Sequence, residues 1–313
     1  MRRWTFAIKA ALIGALLFWL FYGVDWKLLW RSVLTLHPTG ILLTFVTVLF
    51  SDLVISYRWY YLSRFTHSFK ASVEANMLAF FLNIFAPAKL GDLSKIYYMQ
   101  RSEGHDPKNS TAMFLIERFF DVIVLGIMIL FSAVFIMPSQ EAIVVASVLL
   151  LLCIIFIWLL AHPKALYRFV RLIPIQKARV LVYKVMKLTK ANLEPKRVFV
   201  LFLLTIAVWA GYYLNNFVFF WTATDFDLGF KEIFIASTLA FAVSAIPLTP
   251  GGIGTFQAAF VLSLGWYGIP KEEALGASIV LQVLYILPAT LYSLYLFMTK
   301  DFLGKNDVSA KQL

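Results

Sequence analysis

Apolar and polar positions along this chain are spaced on the scale of a bilayer rather than a globular core. Stretches almost free of charge recur at 5–23, 40–62, 110–137, 142–161, 198–222 and 274–298. Each is long enough to cross about 30 Å of hydrocarbon at about 1.5 Å per residue. The pattern therefore predicts six spanning helices. Two further apolar stretches, 71–100 and 232–266, are interrupted near their middles by Pro87 to Gly91 and by Pro247 to Gly254. Each half is too short to cross, and broken backbone at membrane depth is tolerated only where it is buried in protein or lines a wet cavity. Both are expected to be re-entrant helical hairpins, with Pro87, Gly91, Pro247 and Pro250 as the breaks. The predicted fold class is all-α, a polytopic membrane helical bundle forming a single domain over 1–313. The apolar run after Met1-Arg2-Arg3-Trp4 shows no small-residue cleavage site before Asp25 and is read as an uncleaved first helix.

Composition agrees with that pattern. Of 313 residues, 61% are hydrophobic and 14% charged, against about 45–50% and about 25% in soluble domains. Soluble enzymes, DNA binders and disulfide scaffolds are disfavoured. The net charge of +11 would suggest nucleic acid in a soluble protein, but in a membrane protein it reflects basic cytoplasmic loops. The sequence gives no reason to expect a nucleic-acid partner. With both termini inside, the cytoplasmic face of the inner cell membrane receives Arg2, Arg3, Arg64, Lys70, Arg101, Lys108, the 162–197 segment, Lys300, Lys305 and Lys311. The outer face receives only Lys27, Arg31, Lys231 and Lys271. Letting 71–100 cross once would place 162–197, with its ten Lys or Arg and one acidic residue, beside the acidic loop Asp225 to Asp227. Within 162–197, Leu181, Val185 and Leu188 share a helical face away from Lys177, Lys184, Lys187 and Lys190. That suits an interfacial helix on anionic lipid, although a plain basic loop has the same composition. Cys153 lies in an apolar run and has no second cysteine to pair with.

An offset of 161 residues superposes Phe69-Lys70 on Phe230-Lys231, Leu78-Ala79-Phe80 on Leu239-Ala240-Phe241, and Gly91 on Gly252. Three predicted spans separate the hairpins, so they should enter from opposite faces. That is the inverted repeat of transporters with sites near the midplane, which operate by alternating access.

The first break reads Asn83-Ile84-Phe85-Ala86-Pro87-Ala88-Lys89-Leu90-Gly91-Asp92-Leu93-Ser94-Lys95. Asp92 can cap the outgoing half, and Lys89 and Lys95 place cations where membrane charges are expensive. Both lysines can also snorkel to headgroups. The second break, Pro247-Leu248-Thr249-Pro250-Gly251-Gly252-Ile253-Gly254-Thr255-Phe256-Gln257, resembles a phosphate-binding turn, with backbone N–H groups able to hold an anion. A break in a crowded bundle uses the same residue types. Glu117, Arg118 and Asp121 lie within the span 110–137 and must face protein or water. A structural ion-pair network and a substrate or proton site both satisfy that requirement. Asp52 and Arg58, six residues apart, fall on nearly opposite sides of their helix, and Arg58 at its end can snorkel. His37, His67, His105 and His162 are scattered. No metal-ligand spacing, Walker loop or nucleophile elbow is present, so no catalytic residue, metal or cofactor is expected. Asp225-Phe226-Asp227 has a two-carboxylate spacing but sits in a short outer loop.

These residues carry a family resemblance. Arg58-Trp59, Asn83 with Pro87-x-Lys89-x-Gly91-Asp92-x-x-Lys95, Glu117-Arg118-x-x-Asp121 and Pro250-Gly251-Gly252-x-Gly254 occur in order over nearly the whole chain. In this the chain resembles the transmembrane region of lysylphosphatidylglycerol synthases, also called flippase-like or uncharacterised membrane protein family 0104. The family usually has Glu where Asp92 stands, Arg in place of Lys89 and Lys95, and commonly Glu in place of Gln257. Charge is kept at the first three positions. Gln257 lacks the carboxylate, which weakens a proton-coupling or cation-binding role there. The resemblance implies lipid handling: bifunctional members are thought to move an aminoacylated phospholipid that a separate soluble domain makes. After Met298 only about 15 residues remain, too few for such a domain. Stand-alone members are linked to other polar lipids, including polyprenyl-linked sugars.

The leading expectation is therefore a lipid translocator rather than an enzyme. Asn83, Lys89, Asp92, Lys95, Glu117, Arg118, Asp121, Gly251, Gly252, Gly254 and Gln257 would form its substrate site. An integral-membrane transferase using Asp92 or Glu117 as a base is the second reading, and a non-transporting envelope scaffold the third. A homo-oligomer is compatible with each.

Overall fold

A computed structural model describes residues 14, 18–136, 147, 194–245 and 249–299. The expected span 142–161, the basic segment up to 193, most of the first span, and Pro247 lie outside the described residues. What is described is all-helical, with no strand.

Local chemistry sets the helix ends. The Asp25 carboxylate accepts from the backbone N–H groups of Lys27 and Leu28 and starts α1, Trp26–Leu34. Helix α2, Pro38–Leu62, opens with proline at its first position, where a missing N–H costs nothing. Ser68 caps α3, Phe69–Phe85, by accepting from Ala71 N–H. Ala86 then turns extended ahead of Pro87, and the chain passes through a tight 3₁₀ segment, Pro87–Leu93, into α4, Ser94–Glu103. Gly104 ends α4 at φ +66°, a left-handed position that glycine takes without steric cost. The long helices α5, Pro107–Ile136, and α6, Pro195–Thr222, follow. Helix α7, Phe230–Ala245, leads through the turn Pro250–Gly252 into α8, Thr255–Gly265, and α9, Lys271–Thr299, ends the described chain. Helices α2, α6 and α9 are each long and apolar enough to cross a membrane.

The distribution of side chains on α2 is inside out relative to a soluble helix. It buries Thr44, Ser51, Asp52, Ser56 and Arg58 and exposes Leu42, Leu43, Val46, Phe50 and Leu53. In water that surface would drive aggregation, whereas against acyl chains it costs nothing. With lipid as apolar as leucine, helices associate by close packing of small residues. A β-carbon at Gly40 would collide with the backbone of Thr222, and one at Gly211 would stand 2.7 Å from Ser51 Oγ, so α2 and α6 run tightly together.

Two apolar cores result. One gathers Trp59, Leu78, Tyr98, Met99, Met113 and Phe120 between α2, α3, α4 and α5. The other gathers Phe219, Phe220, Ile233, Phe260, Leu264 and Leu281 between α6, α7, α8 and α9. Helices α3 and α4 pack on each other, and so do α7 and α8. Each pair is a helical hairpin with a break at its tip, and the two breaks touch: Pro87–Leu93 and the end of α3 both contact Pro250–Gly252.

Candidate functional site

The first break folds back on the helix it leaves. A β-carbon at Gly91 would collide with the backbone N of Asn83, so only glycine lets the 3₁₀ segment lie this close to the last turn of α3. Asn83 Nδ2 then donates to Asp92 Oδ1 at 2.8 Å. Asp92 is not the cap of α4, which begins after Leu93 with no side-chain cap bond. Its second oxygen faces Arg118 Nη1 at 3.4 Å.

Arg118 belongs to a compact array of three cations and three carboxylates. Glu117, fully buried on α5, is its hub: Arg58 Nη2 reaches Oε1 at 2.7 Å, Lys95 Nζ reaches Oε2 at 3.1 Å, and Arg118 Nη2 approaches Oε1 at 3.4 Å. Arg58 also donates to Asp121 Oδ1 at 2.6 Å and to Thr205 Oγ1 of α6 at 3.3 Å. Arg118 Nη2 reaches Asp121 Oδ2 at 3.1 Å. Lys95 lies over the Trp59 ring, 4.8 Å from its centre. Neither Lys95 nor Arg58 snorkels. Both heads are sealed inside the bundle, where Glu117 compensates them. Arg118 differs, with 34% of its side chain exposed.

The second break is a tight glycine turn. Gly251, Gly252 and Gly254 have φ of +60°, +70° and +87°, which glycine alone adopts cheaply. However, the turn consumes its own donors. Gly252 N–H donates to Thr249 O, Ile253 N–H to Pro250 O, and Gly254 N–H to Gln257 Oε1 at 2.7 Å. Gln257 Nε2 donates in turn to Gln282 Oε1, and Gln282 Nε2 to Gly251 O at 3.0 Å. In this structure the N–H groups of Gly252, Ile253 and Gly254 are engaged within the turn, and Gln257 and Gln282 staple it to α9. A β-carbon at Gly251 would stand 3.2 Å from Ile84 Cα, so this turn rests on the end of α3. Beside it a cavity of about 290 Å³ is lined by Leu20, Ile84, Gly251, Gln257, Gln282 and Ile286, among others.

The fold thus gathers Asn83, Asp92, Lys95, Glu117, Arg118 and Asp121 into one array, and places Gly251, Gly252, Gly254 and Gln257 in a separate turn across the contact of the two tips. The side chains of Lys89 and Pro87 lie outside the described residues, as does Pro247; Pro250 opens the second turn. Sequence reasoning passed over Arg58 as a site residue and did not single out Glu74, buried on α3 and hydrogen-bonded to Tyr98 of α4. The signal for Arg58 was its place beside Trp59 in the family pattern. Asp225, in the loop after α6, is paired with His37 at 2.8 Å. No group of three metal-ligating side chains occurs among the described residues.

Against known proteins, a family model described as "Lysylphosphatidylglycerol synthase TM region" matches residues 6–293. A UPF0104 membrane protein of Methanocaldococcus jannaschii is 24% identical over 227 residues, which cover 69% of this chain and 93% of that relative.

Proposed function

The chain belongs to the lysylphosphatidylglycerol synthase transmembrane-region family, and from that premise we propose that it moves a lipid with a polar, phosphate-bearing headgroup between membrane leaflets. One observation carries the reading. Where the two broken hairpins meet, a sealed and charge-balanced array presents one partly open cation, Arg118, held by its carboxylates at 3.1–3.4 Å, while Arg58 is held at 2.6–2.7 Å. An incoming phosphate can take the Arg118 fork bidentately. Glu117 stays compensated by Arg58 and Lys95, so the exchange strands no buried hub charge. Asp92, still accepting from Asn83, and Asp121, still held by Arg58, then each give up an Arg118 contact and turn that oxygen to the headgroup, where an ammonium group fits. A headgroup with both charges, such as an aminoacyl phospholipid, matches both halves of the site, and a polyprenyl phosphate matches the first. The apolar chains stay in the bilayer while the protein replaces the water that the headgroup gives up.

In this reading both termini face the cytoplasm of the cell membrane. The two hairpins enter from opposite faces as an inverted repeat, and their relative movement opens the array to one leaflet at a time. The test is headgroup movement in proteoliposomes with labelled aminoacyl, anionic and polyprenyl-phosphate lipids. Losing a charge-assisted contact of about 1.5–3 kcal/mol is expected to slow one lipid class about tenfold or more in Arg118→Gln, with partial recovery in Arg118→Lys. A folded Arg118→Gln protein that moves every lipid at the wild-type rate removes the array from the pathway.

A further inference from the structure

Asp52 lies outside the ion-pair array. It is the fifteenth residue of α2, about 20 Å along the axis from Pro38 and about 9 Å from the level of Arg58, on a different side of the helix. Only 6% of it is exposed, and its Oδ2 is buried without a hydrogen-bond partner. Among the described residues no cation stands within ion-pair distance. An ionised carboxylate in that setting, near the middle of a span, has nothing to offset its lost hydration. Every other buried carboxylate described here, Glu74, Asp92 and Glu117, has a partner.

Neutral amides and hydroxyls are hydrogen-bonded to one another where α2, α6, α7 and α9 meet. Next to Asp52, Ser51 Oγ hydrogen-bonds Asn215 Oδ1 of α6 at 3.3 Å, and Asn215 Nδ2 is itself buried without a partner. Tyr285 of α9 donates to Asn216 Oδ1 at 2.6 Å, and Asn216 donates to Ser237 of α7 at 2.9 Å. The titratable groups facing Asp52 are Tyr212 of α6 and Tyr285 of α9. Tyr212 lies within electrostatic range of Asp52 and also of Asp121, Arg58 and Arg118. Asp52 and the headgroup array thus share Tyr212 as an electrostatic neighbour.

We propose that Asp52 is a proton-binding site that couples lipid movement to a proton gradient. The proton leaves a water on one side, forms an O–H bond with the Asp52 carboxylate, and leaves that oxygen to water on the other side as the hairpins exchange access. No electron moves and no other reactant is consumed. A hard metal cation would require a shell of several oxygens, whereas a proton requires one lone pair, which Oδ2 has unused. The proposal rests on the lipid-moving reading above and supplies its energy source.

Two measurements on the full chain test it. Infrared spectra of the purified protein are expected to show the carbonyl stretch of a protonated carboxylic acid that disappears in Asp52→Asn. In proteoliposomes with headgroup-labelled phosphatidylglycerol, aminoacyl phosphatidylglycerol and polyprenyl phosphate, a gradient of about one pH unit is expected to shift the leaflet ratio of the transported lipid up to about tenfold, for one proton per lipid. Lumenal pH should change in step. Asp52→Asn is expected to lose the response to the gradient, and Asp52→Glu to keep it. Lipid that moves at a rate indifferent to pH, or that answers to a sodium gradient instead, overturns the coupling and leaves translocation standing. No movement of any lipid overturns both, and a carbonyl band unchanged in Asp52→Asn overturns the proton site whatever the lipid does.

Discussion

At the scale of single residues, Glu117 decides whether the array is affordable. Three cations converge on it, and Lys95, completely buried, has no other ion-pair partner among the described residues. Removing one partner of a buried pair costs about 3–5 kcal/mol because the survivor is left uncompensated. Glu117→Gln is therefore expected to lower stability by that amount, and Asp121→Asn by less, since Arg58 and Arg118 both keep Glu117. Lys95→Met should rescue part of the Glu117→Gln loss, which thermal unfolding of the detergent-solubilised protein would read. Equal losses for Glu117→Gln and Asp121→Asn would show that the hub lies elsewhere. The sequence displayed three charges in an apolar run and hence their need for partners. It did not display the partners, because Lys95 and Arg58 come from 22 and 59 residues away, on two other helices. The same distance made Arg58 look like a snorkelling end residue.

At the scale of elements, the breaks were legible because proline and glycine act through their own backbone: Ala86 leaves the helix immediately before Pro87, and Gly91 permits the return onto Asn83. What fills a break was less legible. Gly251 to Gly254 advertised N–H donors, but those of Gly252, Ile253 and Gly254 go to Thr249 O, Pro250 O and the Gln257 side chain, which spacing does not reveal. A similar hidden contact ties down the other end of the first hairpin. In the loop before α3, His67 is buried, hydrogen-bonded to Ser72 Oγ at 2.6 Å and set edge-on to His105 of the α4–α5 connection at 5.2 Å. Burial, with His105 adding to it, pushes the His67 imidazole down to about 4. An unfolded histidine titrates near 6.5, so between roughly pH 6.5 and 4 the unfolded chain binds the extra proton. Stability is thus expected to fall as pH drops through that window, by roughly 2–3 kcal/mol, and to be unaffected by this group above it. His67→Asn should flatten that part of the unfolding-temperature profile relative to wild type. Parallel profiles would mean that the ring is not held neutral in the base of the hairpin.

At the scale of the whole molecule, the membrane character was the most legible feature, since it depends on composition alone: apolar side chains outside on α2, polar ones within. Which elements meet in space was legible only as a repeat at an offset of 161 residues, which pairs Gly91 with Gly252 but says nothing of contact. The contact of the two tips is what gives the reading of alternating access a mechanical consequence. A site opened to one leaflet and then the other requires the surfaces that close it to part in turn, and here the closing surface includes Gly251 against Ile84, 3.2 Å from a β-carbon to Cα. Fastening that pair should therefore hold the molecule in the state described here. In a Cys153→Ala background, Ile84→Cys with Gly251→Cys is expected to form a disulfide on oxidation and to stop lipid movement, which reductant restores. The cysteine at position 251 carries about 1–2 kcal/mol of left-handed strain, so the single Gly251→Cys variant, which must still move lipid, separates that strain from the lock. A fully cross-linked protein that moves lipid at its reduced rate would show that the tips are a fixed floor and that access changes around them.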